Sequence, residues 1–249
     1  MKRPFGRAAI RGSTAMRYWK AALLVATIVT LVLTLTVVST LRSIPDLDVM
    51  LARRAGPVAS ASQDIHLNEL PPHLVEALIS AEDRNFYGNF GAEPLSMLRA
   101  LYADIRAGRI VQGGSTISEQ LAKNLLPPQR SRIVQKIREI VVVLMLEHRF
   151  SKDRILELYL NRVYFGGAAY GIEAAARRYF GKSARELTLY EAAMLVGLLP
   201  APSFMNPLHD PGRAERRAQT VLQDMVEAGY LTPEERRRAL ASQGEVAAE

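Results

Sequence analysis

Pro71-Pro72-His73-Leu74-Val75-Glu76-Ala77-Leu78-Ile79-Ser80-Ala81-Glu82-Asp83-Arg84-Asn85-Phe86 is the stretch from which the rest of the chain can be read. Two prolines open it, at positions where a missing N–H costs a helix nothing. Val75, Leu78, Ile79 and Phe86 then fall at helical spacing, which predicts a helix over 71–86. Glu82 lies on that apolar stripe rather than opposite it. A carboxylate so placed must be paired, hydrogen-bonded or shifted in pKa. Position alone leaves two readings: a structural ion pair, with Arg84 or a distant base, or an acid of a functional site.

Outward from this helix the pattern stays helical. Pro94 begins a second segment, with Leu95, Leu98, Leu101, Tyr102 and Ile105 in register and Gly108 at its end. After Gly113-Gly114, Thr116-x-x-Glu119 reads as a capping box, and a helix runs to about Leu126, stopped by Pro127-Pro128. Ser131 to Arg149 is longer, and its Ile140–Leu146 run is apolar on every side, as in a helix through the middle of a core. Further helices are predicted from Lys152 to about Tyr164, Tyr170 to Tyr179, Leu189 to Leu198, and Asp210-Pro211 to about Gly229. Thr232-Pro233-Glu234-Glu235 forms a second capping box. No stretch alternates as a strand would, so the fold class is mainly α.

The N-terminus differs in composition. Ala21–Leu41 is free of charge, long enough as a helix for one bilayer core. Lys2, Arg3, Arg7, Arg11, Arg17 and Lys20 precede it, which places residues 1–20 in the cytoplasm and the bulk outside. The apolar run exceeds that of a cleavable signal peptide, and a retained anchor is expected. Residues 42–64 read as a linker, 65–230 as the main domain, and 231–249 as a last helix with a disordered tail beyond Ser242.

The charge of +7 suggests nucleic acid until it is partitioned. Residues 1–45 hold seven basic residues and no acid; taking seven from 32 leaves 25 basic against 25 acidic residues. A neutral remainder withdraws the nucleic-acid reading. The four histidines lack metal-ligand spacing, and there is no cysteine. Gly181-Lys182-Ser183 ends like a phosphate loop, but Ala176 stands where the loop needs glycine. Glu139, beside Lys136 and Arg138, suits either a salt bridge or an electrostatic site. Lys123, Arg130, Arg132, Lys136 and Arg138 form a basic group, read as a solvated face or as a diphosphate clamp aided by free N–H groups of the helix after Gly113-Gly114.

Taken together, these segments resemble the biosynthetic peptidoglycan glycosyltransferases of family 51: monofunctional transglycosylases and the glycosyltransferase domain of class A penicillin-binding proteins. The matching residues are Glu82-Asp83-Arg84-x-Phe86, Gly113 to Ile117 with Gln120 to Asn124, Lys136-x-x-Glu139, Ile155 to Asn161, Tyr164-Phe165-Gly166, Glu173 to Ala176, Tyr179 to Lys182 and Glu191 to Ala193. The resemblance covers about residues 65–230. It implies a lysozyme-like helical head with a small membrane-dipping jaw, around Ile105–Val111 and the Pro127 loop.

It implies that Glu82 is the general base on the 4-hydroxyl of an acceptor lipid II. Glu139 would be a second essential carboxylate near the leaving diphosphate, acting directly or through a divalent cation (Mg or Mn). No organic cofactor is expected. Lys123, Lys136 and Arg84 would stabilise the diphosphate; Phe86, Asn89, Ser115, Thr116, Gln120, Asn124 and Arg132 would contact substrate. Partners would be lipid II, the growing lipid-linked glycan, the inner membrane and proteins of wall synthesis or division. Four positions depart from the family pattern: Asn89 for histidine, Glu119 for glutamine, Gln135 for arginine, and Ser131 near a usual arginine. The three departures around the diphosphate site, Asn89, Glu119 and Gln135, motivate the alternative of a non-catalytic lipid II-binding or scaffolding relative. A lysozyme-like hydrolase fits the helical fold but not the Gly-Gly-Ser-Thr-Ile and Tyr-Leu-Asn motifs.

Overall fold

The computed structural model describes residues 10–52, 64–89 and 115–242, and part of the side chains within 10–40. It divides into two units, 1–45 and 46–249. The first holds helix α1 (Ile10–Arg42), continuous through 21–41, in which Thr27, Thr30 and Thr34 donate their hydroxyls to carbonyls four residues back. Among the described residues no helix is long and apolar enough to cross a membrane.

The second unit is helical. Its elements are α2 (Leu47–Ala52), α3 (Pro72–Glu82), α4 (Ile117–Leu125), α5 (Arg132–Arg149), α6 (Lys152–Arg162), α7 (Ile172–Phe180), α8 (Leu189–Leu198), α9 (Pro202–Met205), α10 (Pro211–Glu227) and α11 (Pro233–Ala241). Short 3-10 turns lie at Leu67–Glu69 and Ala184–Glu186. The one extended pairing among the described residues is a bridge between Tyr164 and Tyr170. The second predicted helix (94–108), the Gly113-Gly114 turn, the Ile105–Val111 part of the jaw and the tail beyond Ser242 lie outside the described residues.

Caps set most of the boundaries. Thr116, Ser131, Ser151, Thr188, Asp210 and Thr232 each accept a hydrogen bond from an amide in the first turn of the helix that follows. At Thr188 and Thr232 the third-position glutamate returns the bond, completing the box. Thr116 caps α4, but Glu119 sends its carboxylate to Lys136 Nζ instead.

Helix α3 ends at Glu82, four residues short of the predicted Phe86. Asp83 leaves helical geometry (φ −159°, ψ 78°), and its carboxylate accepts from the Ile117 amide at 3.2 Å and from Asn89 Nδ2 at 3.0 Å. A side chain that can satisfy two donors outside the helix competes with one more helical turn. Phe86 still reaches the core and is fully buried.

The helix buried on all sides is α8, not the Ile140–Leu146 run of α5. Every residue from Tyr190 to Leu198 is buried, between α3 and α10. Gly197 makes this possible: a Cβ there would meet Arg217 Cβ at 2.9 Å. In α5 only Val142, Val143 and Leu146 of the apolar run are buried, while Leu144 is 40% exposed. The apolar run sets what α5 can bury; α4 and α6, its main neighbours among the described residues, meet only one of its sides. Residues 47–52, inside the expected linker, pack as α2, with Leu47 and Met50 buried, Asp48 paired to Arg149 at 2.9 Å, and the Leu51 carbonyl accepting from Arg162.

The α6–α7 connection reverses the chain sharply. Gly166 and Gly171 take positive φ, and a Cβ would lie 2.2 Å from the Pro202 carbonyl oxygen and 2.7 Å from that of Asn161, respectively. Asn161 in turn brackets Ile65, accepting from its amide and donating to its carbonyl, both at 2.9 Å. The start of the main domain is thereby stitched onto α6.

Candidate active site

Glu82 ends α3 where α4, α6 and α10 converge. Its carboxylate accepts a hydrogen bond from Gln120 Nε2 at 2.8 Å, and Gln120 Oε1 accepts from the hydroxyl of Tyr159 at 2.8 Å. Tyr159 is fully buried, so its O–H needs a partner, and the Gln120 oxygen is that partner. An amide whose oxygen is claimed by a donor must present its NH2 on the other side, toward Glu82. Burial pushes the Glu82 carboxyl above the ordinary carboxylate range, against the pull of the Gln120 bond and the nearby charge of Arg217. Burial, with the charge of Glu82, raises the Tyr159 phenol, which stays a neutral donor. The outcome is a half-buried carboxylate of raised basicity held by one directed hydrogen bond. The ion-pair reading with Arg84 is overturned. Arg84 turns to α10, pairing with Asp224 and Glu227 at 3.1 Å each and donating Nε to the Ser80 carbonyl.

A second group of charges lies between α4 and α5. Lys136 Nζ sits 3.0 Å from Glu119 Oε2 and 3.8 Å from Glu139 Oε2, both residues buried. Gln135 Nε2 donates to Glu139 Oε1 at 2.9 Å, and Gln135 Oε1 has no hydrogen-bond partner among the described residues. Two carboxylates share one ammonium, and the glutamine spends its amide on one of them. Gln135 and Glu119, both departures from the family pattern, thus belong to the same charge cluster. The predicted anion seat at the start of α4 is occupied from within the chain. The Ile117 amide is taken by Asp83 and the Glu119 amide by Thr116. The diphosphate-clamp reading therefore loses those two N–H groups.

The other expected site residues divide by exposure. Ser115 offers its carbonyl to Gln120 at 3.4 Å, and Thr116 caps α4. Lys123 and Asn124, in the last turn of α4, and Arg132, opening α5, are exposed. Phe86 and Asn89 lie behind Glu82: the phenyl ring is buried, and Asn89 bridges Asp83 and Lys152. Sequence reasoning missed Tyr159 and Lys152 as site residues. Tyr159 carried a signal, a phenol on the buried face of an Ile-Leu-x-Leu-Tyr-Leu helix that must donate somewhere. Lys152 carried none, because a lysine opening a helix reads as solvated.

Lys136 holds the place between the two carboxylates, and the described residues include no group of three or more metal-ligating side chains.

Residues 50–226 match the family model described as Transglycosylase. Penicillin-binding protein 1A of Aquifex aeolicus is 47% identical over 176 residues, 71% of this chain and 24% of its own length. Penicillin-binding protein 1A of Escherichia coli is 43% identical over 172 residues, 69% and 20%. Penicillin-binding protein 1F of Bacillus subtilis is 40% identical over 182 residues, 73% and 25%. The crystal structure of penicillin-binding protein 1A from Haemophilus influenzae aligns over 72% of this chain and 17% of that one, at 29% identity and a TM-score of 0.42. The chain thus spans a fifth to a quarter of these curated relatives. The matched residues run from α2 into α10 and take in Glu82, Gln120, Glu139 and Tyr159, so the chain belongs to the transglycosylase family.

Proposed function

We propose that the chain is a peptidoglycan glycosyltransferase that polymerises lipid II into glycan strands. The observation that carries the reading is the Tyr159–Gln120–Glu82 hydrogen-bond chain, which runs from a buried phenol and holds a half-buried carboxylate of raised basicity in one direction. Glu82 takes the proton of the acceptor 4-hydroxyl as that oxygen bonds to the anomeric carbon of the donor. The carbon–oxygen bond to phosphate breaks, the electron pair leaves with undecaprenyl diphosphate, and the anomeric centre inverts. A base is most useful when its pKa lies near the working pH, and burial moves Glu82 that way.

Charge builds on the departing diphosphate, where fixed cations act most strongly. Lys136 is held by Glu119 and Glu139, and the exposed Lys123 and Arg132 complete a basic rim. Glu139 works through Lys136, orienting it, rather than through a metal. Arg84, tied to α10, serves the turn after Glu82 instead of the diphosphate. The helical unit is the lysozyme-like head of the family. The charge-free run 21–41, with six basic residues before it, supports an inner-membrane anchor with the N-terminus in the cytoplasm and the bulk of the chain outside, and such tethering raises encounter with prenyl-linked substrates. The non-catalytic alternative has no observation in its favour.

Purified lipid II supplied to the detergent-solubilised chain, with and without EDTA, tests the reading. Glycan strands in both conditions are expected. Lipid II binding without polymer would refute the catalytic assignment, and polymer abolished by EDTA would refute the metal-free role of Lys136.

A further inference from the structure

The turn that leads away from Glu82 is gripped from behind by one ammonium. Lys152, the first residue of α6, donates to Asn89 Oδ1 at 3.2 Å and to Glu147 Oε1 at 2.9 Å, and its Nζ lies 4.7 Å from the centroid of the Phe86 ring. Its side chain is 18% exposed and that of Glu147 is 4% exposed. A lysine at the first position of a helix is disfavoured by the helix dipole and ordinarily turns to water. Here Glu147 balances its charge, and the remaining contacts go to the turn.

The grip closes a circuit around the base. Asn89 passes it to Asp83 through Nδ2 at 3.0 Å, and Asp83 passes it to the Ile117 amide of α4 at 3.2 Å. Glu147 returns it to α4 by accepting from Ser118 Oγ at 2.5 Å. The turn of residues 83–89, the start of α4, the end of α5 and the start of α6 meet at Lys152 and Glu147. None of these contacts is with Glu82 itself, yet they fix the residue that follows it and the helix that supplies Gln120. Resting on the reading of Glu82 as base, we infer that Lys152 is a positioning residue for the transglycosylation. It sets the aim of Glu82 by holding Asn89 and Phe86, and it touches neither substrate nor the reacting atoms.

The test uses the full detergent-solubilised chain with lipid II, kcat and KM measured separately from pH 5.5 to 8.5, and hydrogen exchange followed in residues 83–89 and 115–119. Lys152→Met strands the buried Glu147 carboxylate and can fail to fold; the double variant Lys152→Met/Glu147→Gln keeps the interior neutral. The double variant should keep a cooperative melt, lose about tenfold or more in kcat with KM within about threefold, and exchange faster in both segments. Asn89→His adds a pH readout. A neutral imidazole offers one acceptor to Lys152 and one donor to Asp83, whereas the protonated ring puts a second cation against Lys152, among Asp83 and Glu147. That variant should lose kcat as pH falls through about 6.5, above the acid-side loss of the wild type. Wild-type kcat in the double variant, a loss confined to KM, or unchanged exchange would overturn the inference. A wild type that makes no glycan overturns the base reading and the inference with it. A wild type that polymerises beside an equally active double variant overturns the inference alone.

Discussion

Replacing Glu82 by glutamine separates chemistry from folding, because the swap keeps shape and removes only the charge. The carboxamide oxygen introduced by Glu82→Gln can still accept from Gln120 Nε2, now as a neutral bond where the 2.8 Å contact was charge-assisted. Such bonds contribute about 1.5–3 kcal/mol when charged and about 0.5–1.5 when neutral, so the exchange costs roughly 1 kcal/mol. Against this runs the relief of no longer desolvating a carboxylate. The folded protein raises the Glu82 pKa by burial, so it binds the proton more tightly than the unfolded chain. Wild-type stability therefore falls as pH rises from the ordinary glutamate value through the raised one, and stays lower above it. Glu82→Gln escapes that loss.

Its Tm relative to wild type should improve with pH across that window and level off above it. The shift should stay within a few degrees, since about 1 kcal/mol is worth about 2–4 °C in a domain of this size. Polymerisation should drop by about a hundredfold to ten-thousandfold, the range a general base contributes. The assays are glycan synthesis from lipid II at saturating substrate and thermal melts from pH 4 to 8. A variant that polymerises at the wild-type rate, or one whose Tm gap to wild type widens downward as pH rises, would refute the reasoning.

Three other changes probe the surroundings. Lys136→Met leaves Glu119 and Glu139 buried without their shared cation and should cost about 3–5 kcal/mol in urea unfolding; adding Glu119→Gln should recover part of it. Gln135→Arg places a second cation on Glu139 and should raise kcat if diphosphate charge limits the rate; an unchanged kcat would mean the existing cations suffice. Tyr159→Phe removes the donor that fixes the Gln120 amide, leaving a buried acceptor unpaired at about 1–3 kcal/mol, and should lower kcat more than it raises KM.

The helices were legible where local chemistry sets them. Thr116 and Thr232 read as caps in the sequence and are caps in space, and Asp210 opens its helix as expected, because a side-chain oxygen and the amide it serves lie within one turn. Glu82 stood out because its own neighbours are apolar. What stayed hidden depends on residues far along the chain. The end of α3 is decided by an amide 34 residues away, at Ile117. The central helix is α8 because α3 and α10 flank it and Gly197 admits Arg217, whereas the more uniformly apolar-looking α5 is covered on one side. Arg84 looked like a substrate cation until Asp224 and Glu227, 140 and 143 residues on, claimed it.

Glu82 and Asp83 are chemically near-identical neighbours, yet the backbone break between them hands one to Gln120 and ties the other to the Ile117 amide at the head of α4. Selection between the two acids is therefore geometric rather than chemical. An exchange of the two, Glu82→Asp with Asp83→Glu, preserves composition and charge but shortens the reach of the base and crowds the helix end. The same holds for a one-residue deletion in α3, which would present the wrong acid with everything else in place. Loss-of-function variants in this segment are accordingly expected among length changes as readily as among charge changes.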